Sequence, residues 1–220
     1  MNSLFIGECP EYCHDRGLCT VSGCQCAIGY SGLYCEKYVG IEPLPIWFNE
    51  TFDDLPDAGI NNGPNLNNWF RLSGNGHIRH VCDENINNNN NITENYLSGQ
   101  ALHFSAGCGC GNVEAITREL NISQATTISF AFHVTTEDNC VLTSSNVTVA
   151  LEWTYDEGIS WMRLITMYNQ EHPQLFNITL PSTMKQVHKQ RVIGGIRFRW
   201  TQIKHASNDL YWSIDNIRLE

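Results

Sequence analysis

Cysteine, histidine and paired carboxylates are the residues of this 220-residue chain whose spacing can do chemistry. Six of the ten cysteines, Cys9, Cys13, Cys19, Cys24, Cys26 and Cys35, crowd into residues 9–35. Thiols so placed either bind zinc as thiolates or oxidise to disulfides. Cys24 and Cys26 are separated by a single residue, too tight for the paired ligands of a zinc knuckle, so disulfides are expected. Their connectivity is left open by the spacing. Of the other four, Cys108 and Cys110 are too close in an extended segment to bridge each other. Cys82 therefore pairs with one of them and Cys140 with the other, in an undetermined order.

Histidine offers a second candidate. His77-Ile78-Arg79-His80 has the His-x-x-His form of a zinc or copper site, but that spacing puts both rings on one side only in a helix, and nothing here has a helical period. The metal is disfavoured on that ground. His103, His133, His172, His188 and His205 are scattered, as core-edge or loop residues are.

The carboxylates are more informative. Phe52-Asp53-Asp54 stands near the start of the long C-terminal region and Trp212-Ser213-Ile214-Asp215-Asn216-Ile217 at its end. Trp212 and Ile214 share a face, whereas Ile217 and Leu219 are one residue out of step, which predicts a bulge at Asp215-Asn216. First and last strands of a closed sandwich are neighbours, so Asp53 or Asp54 converges with Asp215 on oxygen donors that suit a structural calcium ion. The competing account makes Asp53 and Asp54 turn caps and Asp215 a bulge cap.

Thr154, Asp156, Gly158, Ser160 and Trp161 carry the spacing of an Asp-box. Its chemistry is that of a turn. Asp156 accepts hydrogen bonds from the backbone that follows, Gly158 takes a positive φ, and the Trp161 indole folds over the hairpin end. It names no reaction. A nucleophile elbow, a His-Glu-x-x-His zinc motif and a phosphate loop are all missing from the sequence, and one Asp-box is too few for a sialidase propeller. A non-enzymatic chain is expected.

Positioning these residues falls to β-strands. Thr127–Val134, 146–153 and 195–201 alternate, with Ile128, Phe130, Phe132 and Val134, then Val147, Val149, Leu151 and Trp153, then Ile196, Phe198 and Trp200 on one face. Each predicts a half-buried strand in an antiparallel sandwich. Polar stretches at 57–68 and 83–95, the second with an unbroken run of asparagine, read as loops. Residues 1–37 form a small cysteine-rich module, 38–46 a Pro-containing linker, and 47–220 the large β-domain.

Composition fixes the compartment and limits the partners. Asn49, Asn91, Asn121, Asn146 and Asn177 each begin an Asn-x-Ser/Thr glycosylation sequon, and beside so many cysteines they point to a secreted chain. A net charge of −10 disfavours nucleic acid and anionic membrane, and no run is apolar enough to cross a bilayer. The first residues lack the basic start of a signal peptide, so the chain is expected to be a piece of a longer one.

The cysteine spacing, with Gly29-Tyr30-Ser31-Gly32 between the last two, resembles an EGF-like module. That resemblance implies Cys9–Cys19, Cys13–Cys24 and Cys26–Cys35. The succession Phe52-Asp53-Asp54, Trp69-Phe70, Ser98 to Phe104, the Asp-box, Leu180-Pro181, Arg197 to Gln202 and Asp209 to Asn216 resembles one half of a reelin repeat. The fold implied is all-β: an EGF-like module followed by an antiparallel β-jelly-roll, the second subrepeat of its repeat. The family implies a secreted extracellular-matrix signalling glycoprotein that guides neuronal migration, binds lipoprotein-receptor ectodomains beside neighbouring repeats, and holds calcium in the jelly roll. A lectin-like, carbohydrate-binding jelly roll is the alternative, with exposed Trp or Tyr as the stacking platform.

Overall fold

The computed structural model describes residues 13, 17–20, 23–26, 29–39, 48–53, 58–59, 68–72, 76–80, 99–107, 112–136, 147–168, 173–190, 195–204 and 210–220; for 17–20, 38, 58–59, 80 and 188–190 this covers the backbone alone. The loops expected at 57–68 and 83–95 fall almost wholly outside the described residues. So do Asp54, Cys9, Cys82, Cys108, Cys110, Cys140, Asn91, Asn146, His172 and His205.

The N-terminal module is built from two short hairpins. Strand β1 (Gly17–Thr20) pairs antiparallel with β2 (Gly23–Cys26), and β3 (Tyr30–Ser31) with β4 (Lys37–Tyr38). So little chain cannot bury a core of its own, and disulfides take its place. Cys13 is bonded to Cys24 and Cys26 to Cys35.

The large domain is a sandwich of two antiparallel sheets. Its strands are β5 (Asn49–Glu50), β6 (Ala58–Gly59), β7 (Trp69–Leu72), β8 (His77–His80), β9 (Gln100–Ser105), β10 (Glu114–Thr117), β11 (Thr127–Thr136), β12 (Thr148–Thr154), β13 (Met162–Tyr168), β14 (Gln174–Thr179), β15 (Arg197–Lys204) and β16 (Leu210–Leu219). One sheet has five strands in the order β13-β12-β15-β10-β7. The other has seven: β14-β11-β16-β9-β8-β6, with β5 also paired to β16. First and last strands of the domain are thus neighbours, Ile217 facing Glu50 and Arg218 facing Asn49.

Alternation along the strands fills the space between the sheets. Ile128, Phe130, Phe132 and Val134 of β11 meet Val149, Leu151 and Trp153 of β12 and Phe198 and Trp200 of β15 in one core cluster. Trp200 ties the layers together, its ring 5.5 Å from Phe130 across the sandwich and 6.1 Å from Trp69. The Trp212 indole N–H donates across the layers to Gln202 at 3.0 Å, which meets the polar demand of a buried indole.

Two expectations need correction. Two of the three predicted strands are more than half-buried: β12 is buried along its whole length and β11 along most of it, whereas β15 is buried only in its first half. On the five-stranded sheet the reason is visible, since its outward side chains are covered by the N-terminal module and by one another. The chain also has a helix, α1 (Ser182–Gln190), where no helical period was expected. Met184 and the half-buried Val187 mark its inner face, too few to produce a period, and among its described side chains Met184 alone is fully buried. Pro181, at its start, accepts from the Met184 N–H.

Candidate functional site

The Asp-box closes the β12–β13 hairpin with a compact set of hydrogen bonds. The Thr154 hydroxyl donates to Asp156 Oδ1 at 2.6 Å and accepts from the Gly158 N–H at 3.1 Å; the Ser160 N–H donates to Asp156 Oδ1 at 2.9 Å, and its hydroxyl to Oδ2. Gly158 has φ +94°, which favours glycine, and a Cβ there would press on the Trp161 ring at 3.3 Å. Partial burial pushes the Asp156 carboxyl up, but the Ser160 and Thr154 hydrogen bonds outweigh it and hold the group below the usual carboxylate range.

This hairpin braces the N-terminal module. Glu157 follows Asp156 in the turn and accepts from the Tyr30 hydroxyl at 3.4 Å. The same Tyr30 oxygen accepts from Arg197 Nη2 at 2.9 Å, and Arg197 Nη2 also donates to Glu119 at 3.1 Å. Both charged partners are almost wholly buried, at 3% and 4% exposure. A bulge opposite Ile116 and Thr117 turns Phe70 of β7 outward into the small cluster of Cys13, Tyr30 and Cys35. Its ring lies 5.8 Å from Tyr30 and 4.0 Å from the Arg197 guanidinium carbon. The module thus borrows a core side chain from the sandwich.

Beside that seam runs a ladder of charge that the sequence did not reveal. One residue from each strand of the five-stranded sheet contributes: Arg163, Glu152, Arg199, Glu114 and Arg71. Glu152 pairs with Arg163 at 3.1 Å and with Arg199, Glu114 with Arg199 at 3.4 Å and with Arg71 at 3.5 Å. Trp161 of the Asp-box covers the Arg199 guanidinium, 4.1 Å from ring centre to carbon. The signal that could have found it was alternation: Arg197 and Arg199 interleave with Phe198 and Trp200, so both arginines had to face outward on a wall that something covers.

Asp53 and Asp215 lie in the region where β5 and β9 each meet β16. Strand β16 pairs with β9 through Tyr211–Ile214 and with β5 through Ile217 and Arg218. Asp215 and Asn216 fall in the gap between these partners, at the bulge, with Asn216 at φ +50°. Asp215 is fully buried, and both its oxygens accept from Asn216, at 2.6 and 3.0 Å. Asp53, three residues beyond β5, accepts from the Gln100 N–H at the start of β9, at 2.9 Å. A Cβ on Gly99 would collide with that carboxylate. Two carboxylates in a break of the ladder fit part of a calcium shell, which takes about six to eight oxygens. Among the described residues no group of three or more His, Cys, Asp or Glu completes a metal site.

The histidines form a different set from the one along the chain. His77 faces His103 across β8 and β9, His103 faces Ser213 and Ser213 faces His133, one row across four strands. His77 and His103 stack at 5.8 Å. Burial, then Arg79 and the neighbouring imidazoles, lowers the His103 pKa to about 3, so its ring is neutral. The His80 side chain lies outside the described residues.

Among the sequons, Asn49 and Asn177 are exposed on strands β5 and β14, and Asn121 is half-buried with its Oδ1 accepting from the Ser123 N–H at 3.0 Å. Of the described tryptophans, Trp69, Trp153, Trp200 and Trp212 are buried and Trp161 is half-buried; Tyr168 is exposed.

Solved structures similar to this chain include the K1 cleaved adhesin domain of Lys-gingipain from Porphyromonas gingivalis, at 10% identity, TM-score 0.47, over 79% of this chain and 97% of that one. A family 29 carbohydrate-binding module is similar at 8% identity, TM-score 0.36, over 55% of this chain and 70% of the module. Both are too distant to carry a function across. The sequence itself is more specific: residues 87–220, more than half of the chain, match the family described as Reelin subrepeat B. With its two-sheet sandwich, Asp-box hairpin and terminal strands side by side, the chain belongs to the Reelin subrepeat B family.

Proposed function

We propose that this chain is a recognition and spacing module from a secreted, reelin-like glycoprotein of the extracellular matrix, which guides neuronal migration by engaging ectodomains of the lipoprotein-receptor family. Its N-terminal module is EGF-like, and further repeats of a longer chain are its other partners. The observation that supports this most directly is the seam: Tyr30, Phe70 and Arg197 lock the disulfide module onto the outer wall of the sandwich, giving a stiff unit suited to presenting a surface. Such a unit acts by binding rather than by catalysis.

Structural calcium belongs to this reading. Asp53, Asp54 and Asp215 are the residues that would hold it, and the bound ion would cross-link the first and last strands at their break. Net charge of −10 accords with protein or cation partners rather than nucleic acid or anionic membrane, and among the described residues no helix is long and apolar enough to cross a membrane.

The test is direct binding. Purified secreted chain, flowed over immobilised lipoprotein-receptor ectodomains and applied in parallel to a glycan array, is expected to bind ectodomain and not sugar. Saturable glycan binding lost on substitution of exposed Tyr168 would replace the proposal with the lectin reading. Turnover of ester, peptide or glycoside substrates would replace it with an enzyme.

A further inference from the structure

We propose that an N-linked oligosaccharide on Asn177 shields the β14 edge of the sandwich from strand-to-strand pairing. A sheet edge presents unpaired N–H and C=O groups, and folded proteins blunt such edges with short strands, charges or a covering element. The two sheets end in four strands: β13 and β7, β14 and β6. Strand β6 is two residues long. Strand β7 lies under the N-terminal module through Phe70. Strand β13 carries Arg163, whose side chain is 51% exposed.

Among the described residues, strand β14 has none of these devices. Its six residues, Gln-Leu-Phe-Asn-Ile-Thr, contain no charge, proline or glycine, and among the described residues it is bonded to β11 alone. Uncharged, β-prone segments of this length are the ones that pair with copies of themselves. Its outward row is Leu175, Asn177 and Thr179, and Leu175 is 52% exposed. Asn177 and Thr179 are the acceptor and the hydroxyl residue of a sequon, so the attachment point sits at the middle of the strand and faces solvent. A branched sugar rooted there overhangs the free edge and occupies the space an incoming strand needs.

Attachment forms a C–N bond between Asn177 Nδ2 and the anomeric carbon of an oligosaccharide carried on a lipid pyrophosphate. The glycosyl–phosphate bond breaks, the lipid pyrophosphate leaves, and the amide proton passes to a base of the host transferase. This rests on the secretory reading above.

The chain, expressed through the secretory pathway of animal cells, is analysed by glycopeptide mass spectrometry and by size exclusion with light scattering. Asn177 is expected to be occupied. Asn177→Gln and Thr179→Ala, which each destroy the sequon, are expected to raise the self-associated fraction on the order of tenfold. Thr179→Ser, which keeps it, leaves the chain monomeric, and adding Leu175→Lys to Asn177→Gln restores the monomer. Asn121→Gln, away from the edge, changes nothing. A bare Asn177 beside any occupied sequon overturns this proposal alone, as does a monomeric Thr179→Ala; five bare sequons overturn the secretory reading and this proposal together.

Discussion

Arg197 and Tyr30, 167 residues apart in the chain, meet at 2.9 Å, guanidinium to phenolic oxygen, in a buried seam. Arg197 closes a chain of contacts from Glu119 of the sandwich to Tyr30 of the disulfide module. Tyr30→Phe keeps the ring against Phe70 and removes the hydroxyl's hydrogen bonds with Arg197 and Glu157, so it is expected to cost about 1.5–3 kcal/mol in urea unfolding. Arg197→Met takes the guanidinium away from the buried Glu119 carboxylate and is expected to cost about 3–5 kcal/mol. Equal losses for the two variants would show that the ion pair does not dominate the seam.

The Asp-box gives a test at its carboxylate. Asp156→Ala removes the acceptor for three donors from Thr154 and Ser160 and is expected to lower stability by about 1–3 kcal/mol, with the β12–β13 turn exchanging amide hydrogens faster. Because the folded pKa is depressed, the contribution of Asp156 is present above the unfolded value and lost as pH falls through the folded one. In Asp156→Asn that acid-side loss disappears. An unchanged acid limb in that variant would remove Asp156 from the account.

His103 works in a higher pH range. Its folded pKa of about 3 lies below the ordinary 6.5, so unfolding takes up a proton and stability falls as pH drops below 6.5, continuing to about 3. From pH 7 to pH 5 the expected loss from this group is about 2 kcal/mol. His103→Phe should flatten the urea-midpoint profile over that range. A variant as acid-sensitive as the wild type would assign the dependence to other groups.

Glu152 is the hub of the charge ladder, bonded to both Arg163 and Arg199. Glu152→Gln is expected to cost about 1–3 kcal/mol, below the cost of Arg197→Met, because Arg163 and Arg199 keep access to water. Adding Arg163→Gln should cost less than the sum of the two single changes, which a double-mutant cycle reads directly.

Calcium supplies the last test. Thermal unfolding in millimolar Ca²⁺ and in chelator is expected to differ by about 2–3 kcal/mol if the ion stands at a hundredfold its Kd. Asp215→Asn should abolish the difference. Identical midpoints with and without the ion would leave Asp53 and Asp215 as backbone caps.

By itself the sequence determined the alternating strands that face the core, the Asp-box hairpin, the bulge at Asp215-Asn216 and the meeting of the first and last strands. The first three follow from a local period or from a turn whose residues lie within a few positions of one another, and the last from the rule that a closed sandwich sets its terminal strands side by side. Only the tertiary structure decided the rest. Helix α1 escaped because two apolar side chains are too few to make a period. The charge ladder, the histidine row and the docking of Phe70 on Tyr30 each require knowing which strands lie side by side and in what register. That is settled by packing between residues tens to hundreds of positions apart, so a one-residue slip would dismantle all three while leaving every local pattern unchanged.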